Sequence, residues 1–136
     1  MKKQHMAILI VLTMLALLSA CATNSPLVDT MWQLTSLAGK QPLKDVEVTL
    51  NLSKDTIGGN DGCNTYGGSY QSSKDTITFG NDIFSTMMYC TDEIATQYNL
   101  FYDALKQAAS YKITDGNLSL IDAEGNILAE FSETKQ

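Results

Sequence analysis

The sequence predicts a mainly β fold: a curled antiparallel sheet or barrel-like meander with one amphipathic helix packed over it. Three observations support this prediction. Short segments alternate apolar and polar residues, clusters of turn-forming residues separate them, and apolar residues follow a helical period at one place only, late in the chain. A series of roughly eight or nine short strands with a single helix favours a sheet that closes or curls strongly.

The first residues are typical of an export signal. Residues 1–5 are basic, and residues 6–18 are almost wholly apolar but too few for a comfortable membrane span. The segment ends in Leu18-Ser19-Ala20-Cys21, which resembles the lipobox of bacterial lipoproteins, where small residues precede the cysteine that receives the lipid. An ordinary signal peptide with an incidental cysteine is the alternative.

This assignment divides the chain into four parts. We expect a signal peptide at residues 1–20, the lipidated Cys21 and a polar tether at residues 21–26, one domain at residues 27–132 and a polar tail at residues 133–136. Because Ala22 rather than an aspartate follows the cysteine, the resemblance to lipoproteins favours anchoring in the outer membrane, through acyl chains such as palmitate, over the inner membrane.

The charge excludes some partners. Without residues 1–20, seven of the nine lysines face fifteen acidic residues, a formal charge of −8, and the chain has no arginine. We therefore expect no nucleic acid partner, since that affinity begins with basic groups that neutralise phosphates. Membrane attachment is expected through the lipid alone. A basic protein partner is compatible with this charge.

The first half of the domain reads as strands and turns. Trp32 and Leu34 lie on one face of a predicted strand at residues 31–37, and residues 46–52 alternate without a fault. Ser-Lys-Asp-Thr-Ile then occurs twice, at residues 53–57 and 73–77, each copy followed by Gly-Asn-Asp. This repeat fits the turns of successive hairpins better than paired cation ligands. Five of the nine glycines lie in residues 58–70, which favours a tight, bulged passage between strands over a phosphate-binding loop.

The second half carries the helix. Residues 83–90 are apolar and mostly extended in character, and Thr91 or Asp92 should cap the helix that follows. One face of this helix would pack against the sheet; it carries Ile94, Tyr98, Phe101, Leu105 and Ala108. A hairpin through Asp115-Gly116, a turn at residues 122–126 and a closing strand at residues 127–131 complete the chain.

Two cysteines remain if Cys21 is lipidated. In an exported domain such a pair usually forms a disulfide, so we predict a Cys63–Cys90 bridge that closes a loop of about 28 residues. A reactive thiol or a Cu(I) site that adds Met87 and Met88 is the alternative. Since methionine pairs more often fill cores, we predict no metal.

The residue inventory disfavours catalysis. The single histidine, His5, lies in the predicted signal peptide, so the domain would have no imidazole base and no Ser-His-Asp or Cys-His arrangement. Its carboxylates are scattered through turns, without an apolar setting that would raise a pKa toward catalytic use. We expect neither an enzyme nor a cofactor other than the lipid.

Several short motifs together resemble the META domain (DUF306) family, which includes heat-shock lipoproteins of the HslJ type. The motifs are Trp32-x-Leu34, Gly62-Cys63-Asn64-x-Tyr66-x-Gly68-x-Tyr70, Thr86-Met87-Met88-Tyr89-Cys90, a helix with Glu93 and Phe101, and Leu118-x-Leu120. The resemblance covers roughly residues 27–132. It implies a β-rich, barrel-like envelope protein with one helix and no catalytic residues; members have been linked to heat shock, novobiocin resistance, motility or secretion, and parasite virulence.

Two functions follow as hypotheses. The resemblance favours a non-catalytic cell-envelope lipoprotein, a stress-related or protein-binding module with an unknown envelope protein as its partner. The charge favours an inhibitor of an extracellular hydrolase such as lysozyme, since complementary potentials speed encounter.

A partner surface is predicted at the glycine-bounded turns, whose polar side chains have little freedom to lose on binding. With the bridge formed, this candidate surface comprises Asn60, Asp61, Asn64, Tyr66, Thr86 and Tyr89. The alternative is structural: Asn64 would bond to its own backbone and Tyr66 would pack inward.

Overall fold

The structure is a computed structural model and describes residues 25–135, which form nine strands and one helix. In chain order these are β1 (Thr30–Leu37), β2 (Thr49–Leu52), β3 (Thr56–Asn60), β4 (Thr65–Ser73), β5 (Thr76–Phe79), β6 (Phe84–Ser85), α1 (Asp92–Gln107), β7 (Ser110–Thr114), β8 (Asn117–Ile121) and β9 (Ile127–Glu133). The predicted signal peptide and Cys21 lie outside the described residues. No helix formed by residues 25–135 is long and apolar enough to cross a membrane.

The strands make one antiparallel sheet that closes on itself. Its order is β3-β2-β1-β9-β8-β7-β5-β4-β6, and β3 also pairs with β4, so every strand except β6 belongs to a closed ring. The first and last strands are neighbours, with Leu34 opposite Phe131. The predicted curled meander with one helix is confirmed.

The interior of the ring is filled by side chains. Trp32, Leu50, Leu118, Leu120 and Phe131 are among those that are almost inaccessible to solvent. This is the expected result of period-two strands, because alternate residues of every strand point to the same side. The ring therefore encloses a packed core.

Helix α1 packs over this ring against β1, β5, β8 and β9. Phe101, Leu105 and Ala108 are buried as predicted, whereas Ile94 and Tyr98 are half-buried. The helix begins at Asp92 after Thr91, which makes no side-chain capping bond. The carboxylates of Asp92 and Glu93 in the first turn instead stabilise α1, because they lie at the positive end of the helix dipole.

The predicted turns are present. Asp115 and Gly116 have φ values of 52° and 75°, which makes the two-residue β7–β8 connection a turn with both central residues left-handed. The two Ser-Lys-Asp segments form the β2–β3 and β4–β5 turns. Turn chemistry thus explains the repeat.

Two segments differ from the prediction. Only Thr49–Leu52 of the alternating residues 46–52 forms a ladder; Val48 is buried and accepts a hydrogen bond from the Leu34 amide, next to the irregularity in β1. Residues 83–90 pair only at β6. After β6 the Thr86 amide still donates to the carbonyl of Thr65, where β4 begins, and the chain then leaves the sheet.

Candidate functional site

The segment from Ile83 to Cys90, called here the 83–90 loop, exposes large apolar side chains. The exposed fractions are 68% for Phe84, 99% for Met87, 66% for Met88 and 94% for Tyr89. Soluble domains seldom leave such residues together at the surface, and patches of this kind usually mark interaction sites. The expectation that the methionines fill the core is wrong, since the ring is already full and the loop runs outside it.

The first part of this loop pairs with the glycine-rich strand β4. Tyr66 and Gly67 of β4 pair with Ser85 and Phe84 of β6. A Cβ on Gly67 would lie 2.7 Å from Cζ of the Phe84 ring. The missing Cβ at Gly67 leaves room for the tip of the Phe84 ring, and an alanine there would push this exposed ring aside.

Asn64 holds the middle of the loop. Its side-chain Oδ1 accepts hydrogen bonds from the Thr86 hydroxyl at 3.0 Å and from the Met88 amide at 2.7 Å. The Thr86 amide in turn donates to the Thr65 carbonyl at 3.0 Å. These bonds fix the loop backbone while its apolar side chains stay in solvent.

Asp61 lies beneath Asn64 and is 1% exposed. Its Oδ1 accepts from the amides of Cys63 at 2.8 Å and Asn64 at 2.6 Å, and its Oδ2 accepts from the Tyr102 hydroxyl at 2.7 Å. The carboxylate thereby joins the β3–β4 turn to helix α1. A buried carboxylate with three donors is satisfied, so it supports the loop rather than forming a free binding group.

Aromatic residues complete this support. The Tyr66 ring packs edge-on against Phe101 and Tyr102, with centroids 5.5 and 5.8 Å apart, and its hydroxyl donates to the Thr49 carbonyl at 2.7 Å. Burial raises the pKa of Tyr66 well above its ordinary value, and burial together with the bond to Asp61 raises the pKa of Tyr102. Both phenols therefore remain neutral donors across the physiological pH range.

The predicted disulfide is present. Cys63 and Cys90 are bonded, with their Cα atoms 6.1 Å apart. This bridge ties the end of the loop to the β3–β4 turn and overturns the alternative of a reactive thiol or a Cu(I) site built on these cysteines. Among residues 25–135, no group of three or more metal-ligating side chains lies together.

The six residues of the predicted partner surface separate into two sets. Asp61, Asn64 and Tyr66 are buried, and their hydrogen bonds match the structural alternative for Tyr66 and a cross-loop role for Asn64. The other three are exposed: Asn60, Thr86 and Tyr89. Thr86 and Tyr89 belong to the loop itself, whereas its other exposed apolar members, Phe84, Met87 and Met88, were missing from the prediction.

The residues missed by the sequence reasoning are Phe84, Met87, Met88 and Tyr102. An apolar run between a Gly-Asn-Asp break and a cysteine reads equally well as a buried strand, so exposure could not be inferred from it. Tyr102 lies one position off the predicted helix face. Nothing in the helical period indicates its bond to Asp61.

Two grooves flank the loop. One, of about 260 Å³, lies between Phe84 and the helix residues Asn99, Asp103 and Lys106. The other, of about 390 Å³, runs from Asn64 along the loop to Tyr98. Both have mixed polar and apolar walls, which suits contact with a protein surface.

Acidic residues border the apolar loop. Asp82 precedes it, and Asp92 and Glu93 follow it at the start of α1. The Ser69 hydroxyl donates to Asp82 at 2.7 Å, and this hydrogen bond, with that of the Ser69 amide, lowers the pKa of the carboxyl. The site thus combines an apolar tip with a negatively charged border.

Comparison with solved structures supports the fold. The chain resembles the NMR structure of a protein from Burkholderia xenovorans, with a TM-score of 0.64 and 22% identity over 81% of this chain and 85% of that chain. It also resembles the crystal structure of a DUF4847 family protein from Bacteroides vulgatus, with a TM-score of 0.59 and 15% identity over 82% and 96% of the two chains. At these identities the likeness concerns the fold alone.

Among curated proteins, none matches the chain. The family model of the META domain matches residues 25–135, which include the whole ring, the helix and the 83–90 loop. The chain therefore belongs to the META domain family.

Proposed function

We propose that this protein is a non-catalytic lipoprotein of the cell envelope that binds another envelope protein through its 83–90 loop, as part of a stress-related role. The observation that carries the proposal is a loop with four exposed apolar side chains whose backbone is held by Asn64 and by the Cys63–Cys90 bridge. Because this backbone is already ordered, little conformational entropy is lost when a partner covers the side chains.

The apolar side chains of the loop and its acidic border indicate what kind of surface the partner would present. Met87, Met88 and Tyr89 would enter an apolar cleft, and each fully buried side chain contributes roughly 1.5–3 kcal/mol. The border of Asp82, Asp92 and the formal charge of −8 after residue 20 favour basic residues around that cleft. Lipid on Cys21 would hold the domain at the outer membrane and confine the search for partners to the envelope.

A photo-crosslinking amino acid in place of Tyr89 tests the proposal in living cells. We expect one envelope protein to be crosslinked, with a yield that falls as salt is added because part of the attraction is electrostatic. Thr114, exposed at the far β7–β8 hairpin, is the matched control position and should give no such product.

A crosslinked product does not by itself show that the apolar side chains make the contact. A second variant therefore removes them. Met87→Ser with Met88→Ser should abolish the Tyr89 crosslink while leaving the melting temperature unchanged, since neither side chain packs in the core. Equal products from both crosslinking positions, or a product that survives the double change, would contradict the proposal.

The acidic border also favours the narrower hypothesis of an inhibitor of a basic extracellular hydrolase such as lysozyme. A protruding, covalently braced loop suits insertion into an enzyme cleft. Lysozyme activity on cell walls should then fall at low salt with the intact protein and recover with the Met87→Ser and Met88→Ser double variant. Unchanged activity with excess intact protein would exclude lysozyme as the target.

A further inference from the structure

The sulfur atoms of residues 25–135 are of two kinds, disulfide sulfurs and methionine thioethers. Cys63 and Cys90 are joined in the disulfide, so neither offers a thiolate to an oxidant. The remaining sulfur atoms in residues 25–135 are the thioethers of Met31, Met87 and Met88. Oxidants that reach this part of the protein therefore act first on methionine.

The three methionines differ in access. Met87 is 99% exposed and Met88 66% exposed, whereas Met31 lies within β1 opposite Asn51 and is partly buried. Oxidation needs direct approach of the oxidant to a sulfur lone pair, so exposure controls its rate. Two adjacent and accessible thioethers therefore lie on the surface that the proposed function uses.

We propose that Met87 and Met88 form a reversible oxidation site that switches the 83–90 loop between an apolar and a polar state. A peroxide or a hypohalous acid transfers one oxygen atom to each sulfur. The thioether is oxidised to a sulfoxide, and the oxidant is reduced, hydrogen peroxide leaving as water. A sulfoxide reductase reverses the step when two of its thiols form a disulfide and the oxygen leaves as water.

The loop is suited to such a switch because its backbone does not depend on these side chains. The Met88 amide is held by Asn64 and the end of the loop by Cys90, so oxidation of the sulfurs leaves the fold intact. What changes is the surface: two apolar tips become strongly polar. Weaker docking in the oxidised state rests on the proposed function; the oxidation site itself does not.

The site is tested with the full-length, exported protein and graded hydrogen peroxide, followed by peptide mass spectrometry of each methionine. We expect Met87 and Met88 to be converted at least fivefold faster than Met31, with an unchanged melting temperature, and to be restored by a methionine sulfoxide reductase with thiol reductant. Conversion of Met31 at an equal or higher rate, loss of the fold, or failure of restoration would overturn the proposal.

The switch is tested by the yield of the Tyr89 photo-crosslink before and after peroxide. We expect at least a tenfold loss in the natural chain and no loss in the Met87→Leu, Met88→Leu double variant, which stays apolar but carries no thioether there. An equal yield in both states, or an equal loss in the leucine variant, would overturn the switch. Absence of a crosslink in the untreated protein would refute the proposed function and its switch together, while the mass measurement still decides the oxidation site.

Discussion

At the scale of single residues, the candidate site depends on a buried carboxylate beneath an exposed loop. Asp61 accepts hydrogen bonds from Cys63, Asn64 and Tyr102, and so connects the β3–β4 turn to helix α1 and fixes Asn64, which holds the 83–90 loop. Charge-assisted hydrogen bonds of this kind are stronger than neutral ones, and buried donors left without partners are expensive. Removal of the carboxylate should therefore affect stability far more than removal of a surface charge.

Asp61→Ala should lower the free energy of unfolding by roughly 3–5 kcal/mol, since it leaves three donors without an acceptor. Urea denaturation followed by circular dichroism measures the loss. Asp103→Ala, an exposed carboxylate on α1, is the matched control and should change stability by less than about 0.5 kcal/mol. Similar losses in both variants would show that the buried network contributes little.

The raised pKa of Tyr66 predicts a loss of stability at alkaline pH. The folded protein keeps this phenol neutral through burial, whereas the unfolded chain ionises near about pH 10. The contribution is thus fully present below about pH 10 and is lost as pH rises toward the folded value. The free energy of unfolding should therefore fall as the pH rises above about pH 10, and should fall less in Tyr66→Phe.

The Tyr66→Phe variant starts from a lower stability than the natural chain. Tyr66→Phe removes the hydrogen bond to the Thr49 carbonyl and should cost about 1 kcal/mol at neutral pH, so only the change with pH is compared. If the variant and the natural chain lose the same stability on raising the pH, ionisation of Tyr66 is not the cause.

At the scale of elements, the 83–90 loop is held by β4 on one side and by the disulfide at its end. The glycines of β3 and β4 permit close approach of neighbouring chain segments, and the bridge replaces the ladder that β6 is too short to form. An exposed apolar loop can persist in this way without collapsing onto the core.

Gly59→Ala tests close approach in β3. A Cβ there would lie 2.2 Å from the Thr49 carbonyl oxygen, and φ is +152°, so we expect a loss of at least about 3 kcal/mol. Gly58→Ala is the matched control one residue earlier, where the nearest atom would be 3.5 Å away. It should change the urea midpoint only slightly; equal effects at the two positions would argue against a steric cause.

Reduction of the Cys63–Cys90 bridge should destabilise the domain by roughly 3–4 kcal/mol, because the unfolded chain regains the freedom of a loop with a sequence separation of 27. Urea midpoints with and without reductant measure this. The Cys63→Ser, Cys90→Ser double variant should be insensitive to reductant. Free alkylation of either thiol in the native, unreduced protein would contradict an exported, bridged domain.

At the scale of the whole molecule, the protein is an acidic ring with one apolar loop held by a disulfide, and the lipid proposed on Cys21 would determine where this loop meets its partner. The closed ring has few free strand edges, which limits association through strand addition. This is consistent with the proposal that a partner binds at the loop and its grooves.

Cys21→Ser tests the anchor. Without the thiol that is proposed to receive the lipid, the protein should leave the membrane fraction or remain unprocessed, as judged by fractionation and metabolic labelling with a fatty acid. Ser19→Gly, which keeps a small residue in the lipobox, is the control and should remain in membranes. A Cys21→Ser protein that is still acylated and normally processed would show the lipobox assignment to be wrong.

The sequence by itself determined the strand-rich fold, the single late helix, the turns and the pairing of Cys63 with Cys90. The first three are local: alternation fixes which side chains face inward, and Asp115-Gly116 fixes a turn. The pairing followed from the expectation that an exported domain would join the two cysteines that remain if Cys21 is lipidated.

The tertiary structure alone decided the site. Whether residues 83–90 form a core strand or a surface loop depends on how many inward positions the other strands have already filled, and no local pattern records that total. The same holds for Asp61: a Gly-Asn-Asp segment looks like an exposed turn until the helix brings Tyr102 to its carboxylate. Burial and long-range contact are properties of the assembled ring, and they moved the candidate surface from Asp61, Asn64 and Tyr66 to the methionines beside them.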